Sequence, residues 1–469
     1  MADNAQQPTT RLHVSGYRFL VRRMEHALVR GDTRMLDDPQ RAQSLSFAAG
    51  GLLAAVAVVV CAVLALVRPS GDLGDAPIVV ARETGAMYVS INGTLHPAFN
   101  LASARLIAGT PADPRIVSQR AIDSAPHGPQ VGIPGAPQTI SSRLTPEDST
   151  WAVCDDARGA TTVIAGPTAD GAAASGPGVL VTPRGGSAAV TFLLYDGRRA
   201  RVDLRHPAVV RALRLDGVAP WPVSEAILSA IPEAPEIVPP RIPAVGTPGP
   251  GALHSRPVGT VVKVHRTDGG SAADYFVVLT TGVQRVGEVA ADLIRYTDSR
   301  VGEQIPTVAP GVIGTVAVVD TLPVTTFPDH GGVTDAPVVC AQWRADPQTG
   351  ATHTTVLTGD AVPVTGRPVA LAQADEEGPA VDEASLPSGR SAFVRSVGLT
   401  GDGQSAGSMF LVTDSGVRFG IADRDAAASL GFTEPAQPAP WPVLALLPQG
   451  PELSQSGASV TRDSLVAPP

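Results

Sequence analysis

The sequence predicts an α+β, β-rich chain with one N-terminal transmembrane helix followed by a duplicated region of small hairpin-and-helix modules. Three observations carry this. Residues 45–67 form an apolar run without a charge, four hairpin-then-helix patterns recur beyond it, and the pentapeptide APWPV stands twice, at 219–223 and 439–443. Aromatic residues make up only 4% of the 469, against 48 Gly and 44 Pro, so cores must be built from Val, Ala and Leu in short, turn-rich elements. A net charge of −9 argues against a nucleic-acid partner.

Residues 1–44 read as a cytoplasmic segment with one amphipathic helix. In SGYRFLVRRMEHALVR (15–30), Tyr17, Leu20, Val21, Met24 and Leu28 fall on one face, while Arg18, Arg22, Arg23, Glu25 and Arg30 occupy the rest. Such a helix can lie on an anionic membrane surface or dock on a partner. Residues 45–67 follow; at about 1.5 Å per residue the run covers roughly 34 Å, enough to span a bilayer. A cleaved signal peptide would have a shorter apolar region and would not begin 44 residues in. Seven arginines lie in 1–44 and only Arg68 and Arg82 in 68–104, which places the N-terminus in the cytoplasm and the remainder outside.

Four hairpins are expected, at Met87–Leu95 turning on Asn92-Gly93, Thr191–Val202 on Asp196-Gly197, Tyr275–Val286 on Thr281-Gly282 and Met409–Ile421 on Ser415-Gly416. Each precedes a stretch with helical spacing, at Asn100–Ile107, His206–Leu213, Val289–Tyr296 and Asp423–Leu430. They define four separate repeat domains, 76–112, 177–218, 258–300 and 388–433; a spacing near a hundred residues is too long for a stacked solenoid. Between them lie WAVCDD (151–156), inside 113–176, and VVCAQW (338–343), inside 301–387. Both carry a Cys with a Trp three residues away, then Thr-Thr-Val. Each APWPV opens a Pro-rich coda, the first in 219–257 with the linker PPRIPAVGTPGPG (239–251), the second in 434–469 with a polar, flexible tail. Cys154 and Cys340 sit at equivalent places in two halves on the oxidising side, so a bridge between them is expected, the alternative being two unpaired buried thiols. Cys61, inside the apolar run, stays free.

Catalytic chemistry is sparse. Gly403-Gln404-Ser405-Ala406-Gly407 fits the G-x-S-x-G pattern, but it leads into a strand where a nucleophile elbow needs a strand-to-helix turn. No G-x-x-x-x-G-K-[ST] loop exists, and Lys263, the sole lysine, has no glycines at that spacing. The nine histidines are scattered without zinc-ligand spacing, so no metal or cofactor is expected. Asp155 and Asp156 are adjacent and would point to opposite faces of a strand; they are read as solvated loop carboxylates.

Several ordered stretches resemble the EccB membrane component of mycobacterial type VII (ESX) secretion systems, and the resemblance covers nearly the whole chain. They are VSGYRFLVRRMEHAL (14–28), GDTRMLDDP (31–39), the single span, Met87–Ile107 with LHP and NLASARLI, GIPGAP (132–137), WAVCDD (151–156) and the closing APW. Met87 stands where the family pattern leads one to expect Leu. The resemblance implies an inner-membrane, single-pass protein whose periplasmic part has a central disulfide-linked domain made by both halves, with four repeat domains around it. It implies partners as well: an EccC-like motor ATPase, an EccD-like multispanning subunit, an EccE-like subunit, and self-association in the periplasm. The helix at 15–30 then becomes a docking element. A structural scaffold is the expected function; the alternatives are an enzyme hydrolysing ATP or cell wall, or a cell-wall-binding module.

Overall fold

A computed structural model describes residues 10–463 apart from 32, 34–38, 68–72, 170–171, 175, 177, 186–189, 266–272, 298–303, 377 and 403–405. The chain divides into two compact units, Met1–Asp72 and Leu73–Pro469. In the first, helix α1 (Arg11–Arg30) ends where Gly31 turns left-handed at φ 67° and its N–H caps the Ala27 carbonyl. Helix α2 (Pro39–Val67) follows, and its segment Ser44–Val63 is long and apolar enough to cross a membrane.

In the second unit all four predicted hairpins are present. In the first sheet, Ile78–Ala81, Met87–Ile91 and Thr94–Pro97 form an antiparallel meander, and Arg115–Val117 adds in parallel to the first of them. The second sheet repeats the order with Val179–Pro183, Thr191–Tyr195, Arg198–Val202 and the parallel strand Trp221–Val223. The fourth repeats it with Arg390–Val397, Met409–Val412, Arg418–Ile421 and Gln437–Pro440. The third has Val261–His265, Ala273–Val278 and Val283–Val286, with a lone parallel bridge from Lys263 to Thr307 where the others carry a fourth strand. The sheets therefore run past the expected ends at 112, 218 and 433. Both APWPV segments contribute to this outer strand, the first with its last three residues, Trp221–Val223, and the second with its first two, Ala439 and Pro440; there Pro222, Pro438 and Pro440 cost no ladder hydrogen bond because the edge faces away from the sheet.

The four helices are Leu101–Ala108, Pro207–Ala212, Glu288–Thr297 and Arg424–Leu430. Asn100 and Asp423 cap two of them by accepting from Ser103 N and Ala426 N. The modules share cores in pairs. Ala102 and Leu106 of the first share one core with Ala426, Ala427 and Leu430 of the fourth. Val209, Ala212 and Leu213 of the second share another with Val289 and Leu293 of the third. A single two-turn helix on a three- or four-stranded sheet buries too little apolar surface to stand alone, and pairing across the duplication doubles the core.

Between the pairs lies a seven-stranded sheet in the order Val369–Ala370, Glu383–Ser385, Thr161–Ala165, Thr150–Asp156, Val338–Ala345, Thr352–Gly359, Ala172–Ala174. The two Cys-bearing strands run antiparallel at its centre, with Cys154 opposite Cys340 and Trp151 opposite Trp343. The cysteines are thus cross-strand partners rather than equivalent positions. Each strand turns on an Asp that accepts backbone N–H groups, Asp156 and Asp346, and Cys154 lies two residues before its Asp (156 − 154) while Cys340 lies six before (346 − 340). W-x-x-C in one strand and C-x-x-W in the other is the reversed order that antiparallel pairing requires.

One face of this sheet carries Trp151, Val153, Val339, Ala341 and Trp343 into a core with Val223, which closes the first APWPV, and Ile227 and Leu228 after it, and with Val443, which closes the second, and Leu444 and Leu447 after it. Val223 and Val443, from the two copies of the pentapeptide, thus enter the same core as the paired tryptophans. Parts of the coda-and-linker region and of the described tail are also packed, where a linker and a flexible tail were expected. Leu253 is buried beside Val262 and Val278, and Ile242 packs on the third sheet. In the tail, Ala458 of the Gln455–Ala458 turn is buried in the first-and-fourth core, Thr461 bridges Val131, and Arg462 N donates to Gln130 O.

Candidate functional site

The N-terminal helix carries the residues singled out for docking. Tyr17 is 71% exposed and Leu28 86%, Leu20 and Met24 are likewise exposed, and Val21 is half-buried. Arg18, Arg22 and Arg23 are exposed on the other faces. Phe19, Leu12 and Val29 add apolar surface beyond the predicted stripe. Within the Met1–Asp72 unit Tyr17, Leu20, Met24 and Leu28 of this helix stay exposed.

Cys154 and Cys340 are joined by a disulfide, with Cα atoms 4.0 Å apart and both side chains fully buried under Val362 and Val364. Cys61 is free and exposed on α2.

Asp155, next to the disulfide, is the main departure from the sequence reading. It is 0% exposed on its strand, where Thr161 Oγ donates to Oδ1 at 2.8 Å, Ser224 Oγ to Oδ1 at 2.9 Å, and Ser224 N and the Arg184 guanidinium to Oδ2. Burial pushes its carboxyl above the usual range, against the pull of these donors. The same Ser224 Oγ caps the helix Glu225–Ser229. The residue after the first APWPV is thereby fastened to the central sheet. Asp156, as expected, faces the other way, held by Arg158. The second APWPV is fastened differently. Arg418 lies 5.7 Å from the Phe410 ring centre and 5.3 Å from that of Trp441, and its Nε donates to Leu447 O at 3.1 Å.

Two stretches that carried the resemblance meet in space. Asn100 Nδ2 donates to Ile133 O at 2.8 Å and Ser103 Oγ accepts from Ile133 N at 2.8 Å, so NLASA grips the backbone of GIPGAP at both poles. Arg105, from the same helix, donates to Ala112 O, Asp113 and Leu430 O, the last at the end of the fourth-module helix. Sequence reasoning passed over Asn100, Arg105 and Arg418; a polar residue at a fixed place beside each apolar run was the only signal.

Among the described residues no three His, Cys, Asp or Glu converge as metal ligands. Lys263 lies within the strand Val261–His265, its N–H and carbonyl bonded to Pro306 O and Val308 N. Gly403, Gln404 and Ser405 of the G-x-S-x-G match lie outside the described residues.

The family model described as "Type VII secretion system ESX-1, transport TM domain B" matches residues 6–467. The chain is 37% identical to "ESX-3 secretion system ATPase EccB3" of Mycolicibacterium smegmatis, over 98% of this chain and 92% of that one. It is 35% identical to "ESX-5 secretion system ATPase EccB5" of Mycobacterium marinum, over 97% and 94%. Among solved structures, a chain in an intact ESX-5 inner membrane complex superposes with a TM-score of 0.71 at 32% identity, covering 99% of this chain and 98% of that chain. A chain of the EccB3 dimer from the ESX-3 core complex gives 0.71 at 33% identity, over 82% and 100%.

Proposed function

The chain belongs to the EccB family of type VII secretion systems, and from that premise we propose that it is a structural membrane component of an ESX inner-membrane complex, linking the translocation machinery to a periplasmic assembly. The observation that carries this is end-to-end agreement with a chain of an intact ESX-5 inner membrane complex, which spans α1, α2 and the periplasmic part alike.

In this reading α2 crosses the inner membrane with residues 1–44 in the cytoplasm, as the excess of arginine on that side favours. Tyr17, Leu20, Val21, Met24 and Leu28 dock on cytoplasmic or membrane parts of EccC-like, EccD-like and EccE-like subunits, with Arg18, Arg22 and Arg23 at the rim. The four small sheets are four copies of one module around the central disulfide-linked sheet, and the periplasmic part self-associates, as its relative in the EccB3 dimer does.

The test is purification of the full-length protein from its native host in mild detergent, with intact-complex mass spectrometry. A fixed ratio to a large motor ATPase and a multispanning subunit is expected, and Leu20→Asp with Met24→Asp should release the protein from them. Recovery of the wild type alone, with ATP hydrolysed by residues 73–469, would establish the second reading, which rests on the word ATPase in the relatives' names.

A further inference from the structure

The two faces of the central sheet are covered unequally. The face that carries both tryptophans is packed under Val223, Leu228, Val443 and Leu447. The opposite face carries Ala152, Cys154, Val338, Cys340, Ile164 and Leu357. The hydrophobic side chains that pack on this second cluster from outside the sheet are Val362 and Val364, and both belong to residues 360–368, which join the strand Thr352–Gly359 to Val369–Ala370.

That stretch, DAVPVTGRP, is a strap without helix or strand. Among the described residues a single backbone bond ties it to another part of the chain, from Ala169 N to Pro363 O at 3.0 Å; its second bond, from Val364 N to Val362 O, is internal. Pro363 is buried, Val362 and Val364 are half-buried, and Thr365, Gly366 and Arg367 are exposed. Beside it a cavity of about 430 Å³ is lined by Thr162, Val338 and Glu383 of the sheet and by Val362, Val364 and Pro368, and neither cysteine reaches it. Few hydrogen bonds and shallow packing mark a segment that opens locally, at a much lower free energy than the sheet beneath it. The two cysteine strands below pair continuously from Val338↔Asp156 to Arg344↔Thr150.

Thiol–disulfide exchange requires the attacking sulfur to reach one of the bonded sulfurs. Cys154 and Cys340 are both 0% exposed, so the closed strap denies that approach. We propose that residues 360–368 are a gate over the disulfide, and that their opening, with the sheet still paired, admits a dithiol. With the strap lifted, a thiolate of the dithiol attacks one sulfur of the bond, and the other cysteine leaves as a thiolate and takes up a proton. The second sulfur of the dithiol then displaces the first cysteine. The protein gains two electrons and two protons as the thiols of Cys154 and Cys340, and the dithiol departs as its disulfide. Oxidation of the two thiols by such a disulfide is the same path in reverse.

The experiment is reduction of the full-length protein in mild detergent by dithiothreitol, at increasing urea below the unfolding transition. Samples are quenched with an alkylating agent, and labelling of Cys154 and Cys340 is read by mass spectrometry. The rate should be proportional to dithiothreitol and nearly flat in urea, because lifting a short strap exposes little surface. Val362→Ala with Val364→Ala should speed reduction about tenfold. Val89→Ala, at a fully buried place in the core of the first module, should leave the rate unchanged. A rate that climbs with urea as steeply as unfolding does, an equal acceleration by Val89→Ala, or no acceleration by the strap variant overturns the gate.

Discussion

Asn92-Gly93 and Asp196-Gly197 are the same two-residue turn, both with two left-handed residues, yet their surroundings differ. A Cβ at Gly93 meets nothing within 4 Å, whereas one at Gly197 falls 1.9 Å from Thr354 O, because the second hairpin presses its tip on the central sheet. Gly93→Ala should cost about 1 kcal/mol from backbone strain alone and Gly197→Ala several times that, read as thermal midpoints of the two variants. Tyr195 is a second residue whose role shows only in place. Burial raises its phenol to about 12, so the neutral form is favoured on folding. The stability this contributes is present below pH 10 and lost as the pH rises from about 10 to 12. Tyr195→Phe should flatten that alkaline loss and cost about 1 kcal/mol at neutral pH through the bond to Thr326, measured by denaturant unfolding across the pH range. Asp155 shows the limit of reading residues one at a time: adjacency correctly predicted opposite faces for it and Asp156, while its burial depends on Ser224, 69 residues away.

Elements were legible where the signal was local. Hairpins announced by Asn-Gly or Asp-Gly and helices announced by spacing stand where expected. The outer strands of the sheets were not legible, because Arg115–Val117, Trp221–Val223 and Gln437–Pro440 are three or four residues long and pair in parallel, and the last two carry proline, which reads as loop in isolation. For the same reason each APWPV reads in sequence as the opening of a Pro-rich coda, when part of each lies in a sheet. Ser224→Ala tests their anchoring, since it removes one donor to the buried Asp155 and the cap of Glu225–Ser229 together. A loss of about 2–3 kcal/mol is expected in urea unfolding, against a few tenths for Ser229→Ala on the same helix.

At the scale of the whole molecule the disulfide closes a chain separation of 186 residues between two strands that already pair. In the chain-entropy account such a closure stabilises by about 5 kcal/mol. Cys154→Ser with Cys340→Ser should lower the thermal midpoint substantially while leaving the strand register intact in the folded protein, visible as unchanged exchange protection in the central sheet at low temperature.

The interleaving of the modules has a consequence for how the chain comes to be folded. Synthesis runs from the N-terminus, so Ala102, Leu106 and Arg105 emerge long before the fourth-module helix that covers them, and the bond from Arg105 to Leu430 joins residues 325 positions apart. The first module cannot finish its core and must wait, with an apolar helix face bare, until the fourth-module helix has been delivered, while the second waits for the third. High contact order of this kind makes folding slow and leaves aggregation-prone intermediates. Truncation before the fourth-module helix should therefore yield a chain that collapses without reaching a native state, even though three of the four module sheets and the central sheet are encoded in full.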